Sequence, residues 1–209
     1  MSRGLRLLTL CGLLTACAPG RASAEWQLAP FVGFSFLGET NLVVTEMSPR
    51  HWNIGGTARL VGGGPLGVEA LFVYVPGAFQ SVELDPISLP SEATITESLS
   101  LALMGNLVLT TPRSWNEYGL RPYVSGGVGL MHAWHDEQRF PARANVPGYN
   151  VGGGAVGFLS DRVGLRFDLR FFRTLPPGAE PNREIVTNDG VSRLRISYWT
   201  ATVGVVFKY

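Results

Sequence analysis

Apolar and polar positions alternate along most of this chain with a period of two. In Val163–Phe172, the residues Val163, Leu165, Phe167, Leu169 and Phe171 fall on one face, and Gly164, Arg166, Asp168, Arg170 and Phe172 on the other. In Leu99–Leu109, leucines occupy 99, 101, 103, 107 and 109, opposite Ser100, Ala102, Met104, Asn106 and Val108. In Pro65–Val75, Leu66, Val68, Ala70, Phe72 and Tyr74 oppose Gly67, Glu69, Leu71 and Val73. Side chains alternate across a β-strand, so each segment is a strand with one greasy face and one small or polar face. The pattern predicts eight strands: Trp26–Phe36, His51–Val61, Pro65–Val75, Ile95–Leu109, Leu120–Trp134, Tyr149–Leu159, Val163–Phe172 and Arg195–Tyr209. Most have the length that a tilted strand needs to cross a bilayer. Helical periodicity is absent, and Gly or Pro punctuates every gap. In the last strand Trp199, Ala201, Val203, Val205, Phe207 and Tyr209 share one face. Upstream, Leu194, Ile196 and Tyr198 put bulk on the opposite parity. A bulge near Ser197, or a strand running beyond the bilayer, would account for that.

The connectors alternate in length. Leu37–Arg50, Pro76–Thr94, His135–Gly148 and Arg173–Leu194 are long, Gly62–Gly64 and Ser160–Arg162 are short, and Thr110–Gly119 is intermediate. Long loops on one side and short turns on the other are the habit of barrels that span an outer membrane, and an even strand count puts both termini on the short-turn side. A water-soluble barrel alternates too, but hides its bulky face and needs a polar exterior. Here the face opposite the bulky one is rich in Gly, Ala, Ser and Thr with few charges, which suits a narrow, filled lumen. The expected fold is all-β, an eight-stranded antiparallel up-and-down transmembrane β-barrel.

Composition sharpens this picture at the N-terminus. Arg3 and Arg6 precede the short apolar run Leu7–Ala18, Pro19-Gly20 breaks it, and Ala22-Ser23-Ala24 forms a small-residue cleavage site. Residues 1–24 therefore read as an export signal cut at Ala22 and Ala24, leaving 25–209 as one barrel domain. A rival exists in Leu14-Thr15-Ala16-Cys17, which has the form of a lipobox that would make Cys17 a lipidated first residue. The Pro-Gly break favours the ordinary site. The chain's 2 cysteines, Cys11 and Cys17, both lie in this leader, which excludes a disulfide framework and thiolate metal sites from the mature domain. A net charge of +1 gives no sign of a nucleic-acid partner. No mature stretch approaches the roughly 18 apolar residues of a membrane helix.

The inward faces collect Arg59, Glu69, Arg166, Asp168, Arg170 and Lys208. An eight-stranded lumen has room only for side chains, and buried charges must pair. Arg59 and Glu69 are expected diagonally across the Gly62–Gly64 turn, with Asp168 bridging Arg166 and Arg170. Such a cluster plugs the lumen and fixes register; its functional alternative is a gated or proton-sensitive path. Trp26, Phe34, Phe36, Tyr74, Trp134, Trp199 and Tyr209 sit near strand ends, as interfacial belts require. His132, His135 and Asp136 suggest a metal site only superficially, because 132 and 135 point to opposite faces of a strand. His51, His132 and His135 are the available bases, and none lies in a motif with a serine nucleophile, so no enzyme is expected. Gly126–Gly129 and Gly152–Gly154 lie inside strands, not between a strand and a helix; they are not phosphate cradles, and no cofactor is expected. The proline-rich loops at Pro76–Pro90 and Leu175–Pro181 are the places for an unidentified surface ligand.

Four segments carry a resemblance: Trp26–Gly33, Arg121–Gly129, Asp161–Arg170 and Val203–Tyr209. In that order they resemble the outer-membrane β-barrel domain family, the small eight-stranded group that includes the OmpA membrane domain and OmpX. The resemblance implies an outer-membrane location, outer-membrane lipid as the surrounding partner, and insertion by the barrel-assembly machinery, which reads the last strand. By position, Phe207 and Tyr209 would be that assembly signal. It implies structural or surface-interaction roles and no particular activity; a lipid-modifying enzyme and a small passive channel stand as rivals. Because the chain ends at its last strand, the peptidoglycan-binding domain of full-length OmpA is not expected.

Overall fold

The computed structural model describes residues 25–40, 45–47, 50–62, 64–77, 79–81, 98–112, 119–135, 142–175 and 195–209. The leader, with Cys17, Ala22 and Ala24, lies outside the described residues. The strands are β1 (Glu25–Thr40), β2 (Thr45–Met47), β3 (Arg50–Val61), β4 (Leu66–Pro76), β5 (Phe79–Ser81), β6 (Ser98–Thr110), β7 (Leu120–His135), β8 (Ala142–Phe158), β9 (Val163–Thr174) and β10 (Ile196–Lys208). Eight of them close a barrel in the order β1-β10-β9-β8-β7-β6-β4-β3, and β2 pairs with β5 in a separate two-stranded sheet. Every neighbouring pair in the barrel is antiparallel, and β1 seals it by pairing with β10 from Gln27↔Lys208 to Thr40↔Ile196. Over the span in which all eight strands pair, closure leaves no edge whose N–H and C=O groups lack partners, which is the condition for a sheet surrounded by hydrocarbon. The turns near Pro65, Thr111 and Ser160 share one end with both termini. At the opposite end, here the loop end, the strands finish near Thr40, Arg50, Pro76, Ser98, His135, Ala142, Thr174 and Ile196.

The alternation expected from sequence holds around the whole ring. Leu107 is 68% exposed, Val128 63% and Phe34 60%, and Leu103, Phe167, Leu169 and Val203 lie on the same outer surface. A continuous belt of large apolar side chains on the outside, with arginines inside, inverts the arrangement of a protein dissolved in water.

Several elements differ from the sequence expectation. β8 begins at Ala142, not Tyr149, and pairs with β7 up to His135↔Ala142. Pro147 and Gly148 look like breakers in sequence. Among the described residues, however, the β8–β9 ladder ends at Gly148↔Thr174, and the one further bond has the Leu175 N–H donating to the Pro147 carbonyl at 2.7 Å, so the proline only has to accept there. The strands β2 and β5 fall inside segments expected to be loops. Ile196 and Tyr198 need neither a bulge in their own strand nor an extension beyond the bilayer. They continue the inward parity of Thr200 and Thr202, and both are buried in the lumen. The irregularity lies in the facing strand: the β1 register shifts between Phe36 and Glu39, opposite Trp199 and Ser197, and Leu37 adopts φ 51°.

The interior is also greasier than expected. Met104, Met131, Phe172, Ile196 and Tyr198 pack with Val73 and Val75 at the loop end. The Phe172 and Tyr198 rings stack at 5.1 Å between centroids. A smaller apolar cluster of Ala29, Val108, Tyr123, Val156 and Val206 fills the terminal end.

Leu103 is close to the middle of the outer belt and Leu66 is near its terminal edge. Leu103→Arg should cost about 2–4 kcal/mol of folding stability in phosphatidylcholine vesicles, and Leu66→Arg much less. Urea unfolding of the refolded barrel measures both. Equal, small losses would mean that water and not hydrocarbon faces this belt.

Candidate functional site: a charged lattice across the lumen

The register brings the charges together. Arg59 stands directly opposite Glu69, not diagonally as the turn length suggested, because β3 and β4 pair through Val61↔Gly67. Glu69 is in turn opposite Asn106 on β6. On β9, Arg166 lies between Val156 and Gly204, Asp168 between Gly154 and Thr202, and Arg170 between Gly152 and Thr200. Small neighbours give the long side chains their room. A Cβ at Gly152 would sit 2.7 Å from the Cα of Arg170, and one at Gly154 would sit 2.9 Å from the Tyr123 hydroxyl. This is why glycine occupies the middle of β8.

Three strands separate β4 from β9 in either direction around the ring, so their charges meet across the full width of the lumen. Glu69 is the hub. Its Oε2 accepts from Arg59 Nη2 at 2.8 Å and Nε at 3.2 Å, and lies 2.9 Å from Arg166 Nη1. Its Oε1 accepts from Asn106 Nδ2 at 3.0 Å and lies 3.1 Å from Arg170 Nη2. Asp168 Oδ2 accepts from Arg166 Nη2 at 2.9 Å, from Arg170 Nη2 at 3.0 Å and from the Tyr123 hydroxyl, while Oδ1 accepts from Arg170 Nε at 3.1 Å. Tyr123 also accepts from Arg166 Nε at 2.7 Å, and the Arg59 guanidinium lies 4.1 Å from its ring centre. Arg166 Nη1 donates to Thr57 Oγ1 at 2.6 Å. Arg170 Nη1 donates to Asn150 Oδ1 at 3.0 Å, and Asn150 Nδ2 donates to Asn106 Oδ1 at 2.7 Å. Both carboxylates are thus wrapped by guanidinium forks, the geometry in which buried charges are least costly.

Five of the six charges expected inward belong to this lattice. Lys208 does not. It sits at the terminal mouth, 3.8 Å from Glu25 and 5.5 Å from the centre of the Phe158 ring, partly open to solvent. Sequence reasoning missed Tyr123, Asn106, Asn150 and Thr57 as partners. Their inward parity was visible, but not their convergence across the ring. Arg121 is also buried and donates to the Thr111 carbonyl at 3.4 Å. With Gln27, Arg59, Thr110 and Phe158 it lines a recess of about 10 Å³, room for a single water. His132 faces outward, its Nδ1 2.7 Å from Asn145 Oδ1. Phe207 faces outward, and the Tyr209 backbone N–H donates to the Trp26 carbonyl at 2.9 Å.

No protein-family model matches the chain, and no curated protein matches it by sequence. Solved structures do match. Neisserial surface protein A superposes with a TM-score of 0.52 at 13% identity, covering 90% of this chain and 99% of that one. Outer membrane protein OprG from Pseudomonas aeruginosa superposes with a TM-score of 0.55 at 11% identity, covering 91% and 98%. This chain has the fold of the small outer-membrane barrels. At such low identity the likeness speaks for architecture alone.

Removing the hub leaves three guanidiniums facing one carboxylate. Glu69→Ala should destabilise the barrel by about 3–5 kcal/mol, the cost of stranding buried charge. Lys208→Ala, at the wet mouth, should cost less than about 1 kcal/mol. Denaturant titration of both refolded variants checks the contrast, and similar losses would show that the lattice does not hold the walls together.

Proposed function

We propose that the protein is an integral outer-membrane barrel, exported by residues 1–24, with a non-catalytic structural or surface-contact role and a lumen closed to flow. One observation carries this: a closed sheet whose exterior is a belt of leucine, valine and phenylalanine and whose interior holds Arg59, Arg121, Arg166 and Arg170. Only a hydrocarbon surround stabilises that arrangement. Closure of the lumen is supported by its contents, since the guanidinium–carboxylate lattice spans the diameter and two apolar clusters pack with it. For the role, the lattice carboxylates and the Tyr123 hydroxyl are engaged with the arginines and with each other, as structural partners are. The outward Phe207 and terminal Tyr209 would be read by the assembly machinery, and the loops would meet the surface partner.

The experiment is expression with the native leader, followed by fractionation. The folded protein should pellet with outer membranes, require detergent for extraction, and show a heat-modifiable shift on gels. Its mass should match a chain starting at Glu25; a lipidated Cys17 would appear as a heavier product. In planar bilayers it should give no steady conductance, and Asp168→Ala should raise leakage. Recovery as a freely soluble periplasmic protein would overturn the proposal, and a stable open pore would overturn the closed lumen.

A further inference from the structure

The outer surface is not uniform around the loop end. Along the arc β3–β1–β10–β9–β8, one outward row of register partners reads Arg50, Phe36, Trp199, Phe171 and Val151. The next row towards the loops reads Glu39, Ser197, Arg173 and Tyr149. The Phe171 and Trp199 rings lie 5.2 Å apart and form an aromatic floor. Arg50 and Arg173 stand exposed at its margins, and an exposed Arg195 immediately precedes β10. Glu39 is the one carboxylate in these two rows, so the arc is net positive. The other side differs. Among the described residues, the outward faces of β4, β6 and β7 carry no Arg, Lys, Asp or Glu; their loop-end positions are Tyr74, Pro76, Leu99, Leu101 and His132.

Position gives this arc its chemistry. An aromatic band on a membrane barrel marks the boundary between hydrocarbon and headgroups. Guanidiniums set just outside such a band stand at the level of lipid phosphates, which they bind through paired N–H donors. A general need for interfacial anchoring would distribute guanidiniums around the whole ring, whereas among the described residues they occupy one side. Resting on the outer-membrane placement above, we infer that the β3–β1–β10–β9–β8 arc is a binding surface for a phosphate-bearing lipid of the leaflet at the loop end. Arg50 and Arg173, three strands apart, each offer a guanidinium to the lipid's phosphate groups, and Phe36, Phe171 and Trp199 support the first part of the acyl chains.

The test uses the full mature barrel refolded into phosphatidylcholine vesicles, alone or doped with phosphorylated lipid A, with dephosphorylated lipid A, or with inorganic phosphate added to the buffer. The urea midpoint should rise with phosphorylated lipid A only. Arg50→Gln and Arg173→Gln should each weaken the apparent lipid affinity by about tenfold, the worth of a charge-assisted contact. Arg162→Gln, exposed at the terminal end, should leave it unchanged. An equal rise with the dephosphorylated lipid or with free phosphate overturns the inference, as does equal weakening by Arg162→Gln. A chain that inserts into vesicles but ignores the phosphate overturns this inference alone. A chain that folds without lipid or detergent overturns the membrane placement as well.

Discussion

Hydrocarbon offers a backbone no hydrogen bonds, and the rest of this structure is a consequence of that constraint. The sheet must close, so β1 returns to pair with β10 and no edge remains. Closure with eight strands leaves a lumen about as wide as the side chains that fill it. Whatever points inward is therefore buried, whether or not it is apolar. The fold turns a demand on backbone groups into a demand on every inward residue: it must pack, or it must find a polar partner.

The chain meets that demand with two unlike fillings. Towards the loop end, Met104, Met131, Phe172, Ile196 and Tyr198 pack as an ordinary apolar core. In the terminal half, Glu69 and Asp168 are held by Arg59, Arg166 and Arg170. An apolar filling throughout would serve stability equally well or better, since ion pairs recover their desolvation cost only when geometry is good. The lattice supplies direction. Glu69 reaches β3, β6 and β9 together, and a slip of one residue in any of those ladders would turn a charge into the lipid. Register is the property that an apolar core of interchangeable methyl groups specifies least, and the lattice acts on it directly.

Much of this was legible in the chain itself. Period-2 alternation identified the strands because side-chain direction is a local property, and the same alternation gave the outer belt and the inward charges. Asp168 between Arg166 and Arg170 was visible because all three share one strand face. The illegible parts depend on closure. Glu69 meets Arg166 and Arg170 only because β4 and β9 end up across the ring from each other, and no local pattern records a diameter. Tyr123 is the plainest case: its parity put it inside, but its contacts with Arg166 and Asp168 come from other strands. The early start of β8 was hidden because Pro147 signals a break unless one knows that its neighbours there, Leu130 and Leu175, ask no N–H of it. Ile196 and Tyr198 looked out of place because the small inward residues of β10 near the terminus were taken to define the lumen along its whole length.

A closed lumen, as proposed above, also decides where function can reside. The lattice carboxylates are wrapped by guanidiniums, and the loop-end lumen is packed with apolar side chains. Variation that carries function must then fall on the outer surface or beyond the strand ends. The outer surface is free to vary only where it leaves the hydrocarbon, because within the belt any charge is penalised by its depth. That confines informative chemistry to the two rims. At the terminal rim Lys208 pairs with Glu25. At the loop rim the described charges gather on one arc above paired aromatic rings and leave the opposite arc bare. An asymmetry that the fold does not require, at a height where the membrane permits it, is the mark of a contact made with one thing on one side.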